Sequence, residues 1–254
     1  MNIGLVIIGD EILSGRRKDR HQEFFTKLLQ EKGHRLHWVK VLPDEAECLT
    51  AHLRHSMEAG EVVLSCGGIG ATPDDLTRKC AARAAQLPLV RHPDAAALIE
   101  GRFGSAAYPH RVRMADLPQG ASLIPNPVNQ VPGFSVRDHH FMPGFPDMAH
   151  PMGRWVLESY YDGASSMETE YVLRVYGLSE NELMGIMQQL SAAWPQFKLF
   201  SLPRMGKRPF VELGFRGGEG VEQVFARLQQ QLKEQGIEYV VDHQQPVNKS
   251  RKPG

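Results

Sequence analysis

Gly67-Gly68-Ile69-Gly70-Ala71-Thr72-Pro73-Asp74-Asp75 follows the apolar run from Glu61 to Cys66, and its reading decides the fold of the first half of the chain. The apolar run reads as a buried strand, and the glycines after it let a backbone turn sharply and approach a ligand closely. Thr72 suits an N-cap, Pro73 the first helical position and Asp75 the third, so a helix is expected from Pro73 to about Ala85. Free N–H groups at such a helix start would face a phosphate. A Walker A loop would carry Gly-Lys-Ser/Thr here; two carboxylates stand there instead, which disfavours ordinary P-loop triphosphate chemistry. Acids beside a phosphate suggest a bridging divalent cation.

Strand and helix alternate on both sides of that stretch. Ile3 to Ile8 reads as a strand, Asp19 to Lys32 as a helix ended by Gly33, Arg35 to Leu42 as a strand, and Asp44 to Ala59 as a helix ended by Gly60. Near-continuous apolar strands between helices imply a mostly parallel sheet covered on both faces, a three-layer α/β architecture. Right-handed crossovers would bring Gly9-Asp10-Glu11, Pro43-Asp44-Glu45 and the Gly67 loop to one edge, where ligands bind in open α/β sheets. A helix from Asp94 to Arg102, a proline-rich region, a hairpin of Phe134 to Val136 with His140 to Met142, and a helix from Asp147 to Tyr161 complete a domain of residues 1–162. Asp162 to Glu170 reads as a linker. Residues 168–242 then show βαββαβ order, an α+β split βαβ sandwich whose first helix opens with Ser179-Glu180-Asn181-Glu182, and 243–254 reads as a disordered tail.

Composition narrows the function classes. The 254 residues hold 29 Lys+Arg and 29 Asp+Glu, so no global charge favours nucleic acid or an anionic membrane. The apolar start is too short for a membrane span and lacks a basic leader, and Cys48, Cys66 and Cys80 form no Cys-x-x-Cys pair. A reduced, cytoplasmic protein with three packing cysteines is expected.

Asp10, Asp44 and Asp75 each fall at the end of a different strand. Singly, each is explained by the preference for acids in a first helical turn. Together they would repel one another beside a phosphate unless a hard cation sat among them, Mg²⁺ foremost, with Mn²⁺ or Co²⁺ also suitable. Ser14-Gly15-Arg16 could close over the same edge. Gly68→Val is expected to block the ligand's approach while leaving the fold near intact. His52 with His55, and His139 with His140, read as exposed residues, and no Gly-x-Ser-x-Gly elbow is present. Any hydrolysis would use a metal-activated water.

Gly9-Asp10-Glu11-Ile12-Leu13-Ser14-Gly15, Pro43-Asp44, the run from Gly67 to Thr77, Asn126-Pro127 with Pro132-Gly133, and Pro143-Gly144-Phe145-Pro146 resemble the MoaB/Mog molybdopterin-binding domain. They are closest to its form in the competence/damage-inducible protein A (CinA) family, over about the first 160 residues. The second domain is similar to the small domain that follows in that family. The chain departs from the family pattern at Asp19-Arg20-His21, where many members read Asp-Thr-Asn. Full-length members carry a third, nicotinamide mononucleotide deamidase-like domain; none is expected here, and that activity is not carried over.

The resemblance implies a phosphorylated pterin or nucleotide as ligand, molybdopterin included, and a homo-oligomer. It implies metal-dependent chemistry at Asp44 and Asp75 with Asp10, and ligand contacts at Gly9, Ser14, Gly15, Gly67, Gly68, Gly70, Thr72, Asp74, Pro143 and Gly144. The favoured expectation is a nucleotide pyrophosphatase acting on ADP-ribose or a flavin dinucleotide. The alternatives are molybdopterin binding with adenylyl transfer in molybdenum cofactor biosynthesis, and a non-catalytic pterin or nucleotide carrier.

Overall fold

A computed structural model of the protein describes residues 3–161, 169–206 and 208–246, with backbone alone for 243–246. The chain forms two compact units, Met1–Gly163 and Ala164–Gly254. Of the expected linker, residues 162–168 lie outside the described residues, as do tail residues 247–254, whereas Thr169 and Glu170 are corrected to strand, paired with Gly217 and Arg216.

In the first unit β1 (Ile3–Ile8) leads into a single turn, α1 (Asp10–Leu13), and then α2 (His21–Glu31). β2 (Leu36–Leu42), α3 (Ala46–Glu58), β3 (Val62–Cys66) and α4 (Thr77–Ala85) follow. A two-stranded ladder of β4 (Leu89–Arg91) and β5 (Asp116–Pro118) brackets α5 (Pro93–Phe103). β6 (Ser122–Ile124), β7 (Gly133–Val136), β8 (His139–Met142) and α6 (Pro146–Tyr160) end the unit. The main sheet has the order β2-β1-β3-β8-β7-β6, parallel from β2 to β8 and antiparallel for β7 and β6.

Every residue of β1 is buried because both faces of the sheet are covered. Ile3, Leu5 and Ile7 pack with Phe25, Leu28 and Leu29 of α2 and Met152 and Val156 of α6. Val6 and Ile8 face the opposite layer, Leu49 and Leu53 of α3 with Ala81 and Ala84 of α4. The three-layer α/β architecture read from the sequence is therefore the observed one.

Two local expectations in this unit are corrected. The helix after the glycine-rich run begins at Thr77, not Pro73. His139 and His140 are buried, 0% and 3% exposed, because β8 starts one residue early and lies inside the sheet. Their rings meet polar partners there: His139 Nε2 with Ser56 Oγ at 2.7 Å, and His140 with Ser135 Oγ and the Tyr161 hydroxyl, both at 2.8 Å. Burial pushes both imidazoles below their ordinary pKa, so they act as neutral packing groups.

The second unit runs β9 (Thr169–Tyr176), α7 (Glu180–Ala193), β10 (Lys198–Arg204), β11 (Phe210–Gly217), α8 (Val221–Glu234) and β12 (Tyr239–Pro246). Its antiparallel sheet has the order β10-β11-β9-β12, the split βαβ arrangement. Leu173 and Val175 of β9 and Val211, Leu213 and Phe215 of β11 alternate onto one face and pack against Leu183 and Leu190 of α7 and Val224 and Leu228 of α8. A capping box joins Ser179 and Glu182 at the start of α7. β12 continues to Pro246, so the first part of the expected tail, 243–246, is strand; a register shift between Val241 and Gln244 lets the pairing with β9 go on.

Candidate functional site

β2 and β3 lie on opposite sides of β1, so the chain switches direction across the sheet between β1 and β3. Ligands of open α/β sheets bind outside the strand ends at such a point. A cleft of about 500 Å³ opens there. Gly9 after β1, Asp44 after β2, Gly67 to Thr72 after β3 and Pro143 to Phe145 after β8 all line it.

The glycine-rich loop is wired on one side. Thr77 is fully buried; its hydroxyl donates to the Gly67 carbonyl and its N–H to the Gly68 carbonyl, both at 3.0 Å. Arg78, 5% exposed, donates through Nε to the Ile69 carbonyl at 3.2 Å and through a terminal nitrogen to the Gly70 carbonyl at 2.8 Å. Its other terminal nitrogen donates to the carbonyls of Arg113 and Asp116. Four successive carbonyls are thus held from within the protein. Among the described residues no acceptor takes the N–H groups of Gly68, Ile69, Gly70 and Ala71. Consecutive N–H groups without an internal acceptor are the donors from which anion-binding concavities are built. These donors belong to a loop braced by the first turn of α4, and not to the helix start expected from Thr72.

Thr72 and Asp75 make one half of a capping box without a helix. Asp75 Oδ2 accepts from the Thr72 N–H at 2.8 Å and from its hydroxyl at 2.6 Å, and the Asp75 N–H returns a bond to the Thr72 carbonyl at 3.1 Å. Gly67 and Gly68 have φ of +117° and +67°. A Cβ on Gly67 would lie 2.3 Å from the Ile8 carbonyl oxygen, and one on Gly68 would lie 2.3 Å from Thr77 Oγ1. Gly68 is thus required by packing against Thr77, and the expectation that Gly68→Val would spare the fold is corrected.

Of the three aspartates, Asp44 and Asp75 line the cleft, joined by Glu11 and Asp74. Asp10, Ser14 and Gly15 lie outside the lining, as does Arg16, whereas Arg17 lies within it. Asp10 is bound to Asp44 by reciprocal bonds: its N–H donates to Asp44 Oδ2 at 3.1 Å, and the Asp44 N–H donates to Asp10 Oδ1 at 3.4 Å. Burial pushes the Asp44 carboxyl above its ordinary pKa, the Asp10 N–H opposes that, and the charges of Asp10, Glu11 and Asp74 add to it. Asp74 is lowered, chiefly by its hydrogen bond with Thr72. Among the described residues no three His, Cys, Asp or Glu side chains group as a metal site.

The sequence motifs beside the cleft also have structural roles. Asn126, buried, donates from its amide nitrogen to Asn129 Oδ1 at 2.8 Å and to the Val131 carbonyl at 3.0 Å, fixing two residues of the lining. At the Asp19-Arg20-His21 departure, the Asp19 carboxylate accepts the N–H groups of His21 and Gln22, both at 2.9 Å, and caps α2. His21 turns inward and donates from Nε2 to the Gly144 carbonyl at 3.3 Å, bracing the cleft wall from behind. Burial lowers its pKa, in keeping with a neutral ring. Thr77 and Phe145 stand in the quoted motifs without an expected role, and Arg78, Arg17 and Asn129 are additions from the structure; a basic residue in the first turn of a helix carries no sequence signal of burial.

A family model described as a probable molybdopterin binding domain matches residues 4–162. A CinA-like protein of Citrifermentans bemidjiense is 31% identical over 244 residues, covering 91% of this chain and 58% of that one. A protein of Pyrobaculum arsenaticum is 25% identical over 245 residues and covered over 92% of both chains. The chain spans a little over half the length of the first CinA-like relatives it matches, 58% and 53%. Among solved structures, the protein CinA of unknown function from Thermoplasma acidophilum superposes with a TM-score of 0.57 at 28% identity, over 62% of this chain and 97% of that one. No helix among the described residues is long and apolar enough to cross a membrane.

Proposed function

The chain belongs to the probable molybdopterin-binding domain family, in its CinA-like form, and on that premise we propose that the cleft at the strand ends binds the phosphate end of a phosphorylated pterin or nucleotide. The observation that carries this reading is the one-sided wiring of the loop: the Gly67 to Gly70 carbonyls tied by Thr77 and Arg78, the Gly68 to Ala71 N–H groups left for an anion. Such donors are in place before the ligand arrives, so little ordering is needed on binding.

The donor set suits a divalent cation shared with the ligand, not one caged by protein. Asp44 and Asp75 both line the cleft, and Mg²⁺ is commonly held by one or two carboxylates together with phosphate oxygens and water. When bound, such an ion neutralises phosphate charge and lowers the pKa of a coordinated water. The chain's own contribution is to orient: the Gly68 to Ala71 N–H groups position the phosphate, Asp10 fixes the Asp44 carboxylate, and Thr72 fixes that of Asp75.

Pterin or nucleotide binding takes precedence over the pyrophosphatase reading, because the described residues assemble no three-donor metal centre. Hydrolysis of a diphosphate link stands second, favoured by the four carboxylates of Glu11, Asp44, Asp74 and Asp75 around the cradle. Calorimetry with ADP and inorganic diphosphate, with and without Mg²⁺, tests the site. Product assays with ADP-ribose or FAD and Mg²⁺, Mn²⁺ or Co²⁺, and with molybdopterin plus ATP, separate hydrolase, adenylyltransferase and carrier. Failure of both diphosphate ligands to bind under any of these conditions would remove the cleft as an anion site.

A further inference from the structure

One aromatic ring at the cleft has no place in the core. Phe145 is 57% exposed, lines the cleft, and packs in neither hydrophobic cluster of its unit. The other cleft phenylalanine, Phe103, is packed against the core and has the Arg111 guanidinium 4.8 Å from its ring centre. Phe145 therefore presents the available aromatic face.

Its position is fixed by the backbone. The Phe145 carbonyl accepts the N–H groups of Met148 at 3.0 Å and Ala149 at 2.9 Å, starting α6, and Pro146 follows directly. Pro restricts the residue before it to extended conformations, and Phe145 has φ −94° and ψ 119°. Its neighbour Gly144 lies beside the glycine-rich loop, where a Cβ would stand in van der Waals contact with the Gly67 Cα, at 3.4 Å. The ring is thus one residue away from backbone touching the anion cradle. The Arg17 guanidinium carbon stands 5.4 Å from the ring centre and restrains it from one side.

We propose that Phe145, backed by Arg17, is the stacking platform for the planar fused ring, purine or pterin, of the ligand whose phosphate sits on the Gly68 to Ala71 N–H groups. This rests on the reading of the cradle as a phosphate site. A rigidly mounted aromatic face stacks any flat heterocycle at little conformational cost, and the guanidinium adds a cation to the phosphate side of the cleft.

The test is calorimetry on the full chain with three probes: ADP, 6-hydroxymethylpterin diphosphate and inorganic diphosphate. Phe145→Ala should weaken the ring-bearing probe by about five- to a hundredfold, the span of base–aromatic stacking. Inorganic diphosphate should keep its affinity within about twofold, since the cradle is untouched. Phe145→Tyr should restore the wild-type value, whereas Phe145→Leu, which keeps apolar bulk without a π face, should not. Loss confined to ADP identifies a purine, loss confined to the pterin probe a pterin, and loss of both a platform indifferent to the ring; each supports the proposal. Unchanged binding of both ring-bearing probes to Phe145→Ala overturns it, as does an equal loss of inorganic diphosphate, which would make the ring a support for the loop. Wild-type protein that binds none of the three overturns the cradle reading, and this inference with it.

Discussion

Replacing Arg78 tests whether the one-sided wiring of the loop is the source of its anion site. Arg78→Met keeps a long apolar stem and removes the donors to the carbonyls of Ile69, Gly70, Arg113 and Asp116. Orphaning a buried acceptor costs about 1–3 kcal/mol, so loss of the bonds to the two loop carbonyls is expected to cost about 2–6 kcal/mol. For a unit of this size that is a fall in Tm of roughly 4–24 °C. The freed loop must also be ordered by the ligand, which should weaken ADP about tenfold. Arg78→Lys keeps the charge but not the fork that reaches two segments at once, so it should recover less than half of either loss. Scanning calorimetry and ADP titration of the three proteins decide it. If Arg78→Met melts and binds ADP as wild type does, or if lysine restores both quantities fully, the fork is not what shapes the cradle.

Thr77→Val keeps the shape of a buried side chain and loses only the hydroxyl bond to the Gly67 carbonyl, so it should cost about 1–2 kcal/mol and weaken ADP; an unchanged Tm would show that this bond does not hold the loop. Gly68→Ala should lower Tm together with ligand affinity, because its Cβ meets Thr77 Oγ1 at 2.3 Å in a left-handed conformation; lost binding with an unchanged melt would contradict the packing account. For Asp44→Asn the sign follows from burial raising the folded carboxyl's pKa above its unfolded value. The stability Asp44 contributes is present below the unfolded value and lost as pH rises through the folded one, so the variant should melt at or above wild type at pH 7. Its Mg²⁺-supported ADP binding should fall, and a melt below wild type at pH 7 would show that the charge is stabilising.

The sheet was legible because its periodicity was dictated by burial on both faces: Ile3 to Ile8 is apolar without interruption since α2 and α6 cover one side and α3 and α4 the other. Strand ends were legible for the same reason, and with them the edge that carries Gly9, Asp44 and Gly67. Capping chemistry was not decisive. Thr72 and Asp75 make one half of the expected capping box, but its bonds close a turn as readily as they start a helix, and α4 waits until Thr77. The burial of His139 and His140, which read as exposed, left no sign in the sequence because their partners, Ser56, Ser135 and Tyr161, are tertiary and leave no spacing in the chain. Arg78 escaped for a related reason: its acceptors are backbone carbonyls, which every residue has.

The cleft combines two fields of opposite sign, and their roles differ because of what holds each. The N–H groups of Gly68 to Ala71 are fixed by bonds on the far side of the same peptides, so their attraction for an anion persists at any pH. The carboxylates of Glu11, Asp44, Asp74 and Asp75 titrate, and they repel the same anion once charged. Asp10 and Asp44 could be read as mutual caps alone, since each accepts the other's N–H. A pair serving only to cap would gain nothing from facing further acids, yet the Asp44 pKa, raised chiefly by burial, is raised further by the charges of Glu11 and Asp74. On the proposed reading of the loop as a phosphate cradle, a divalent cation arriving with the phosphate would relieve both repulsions at once.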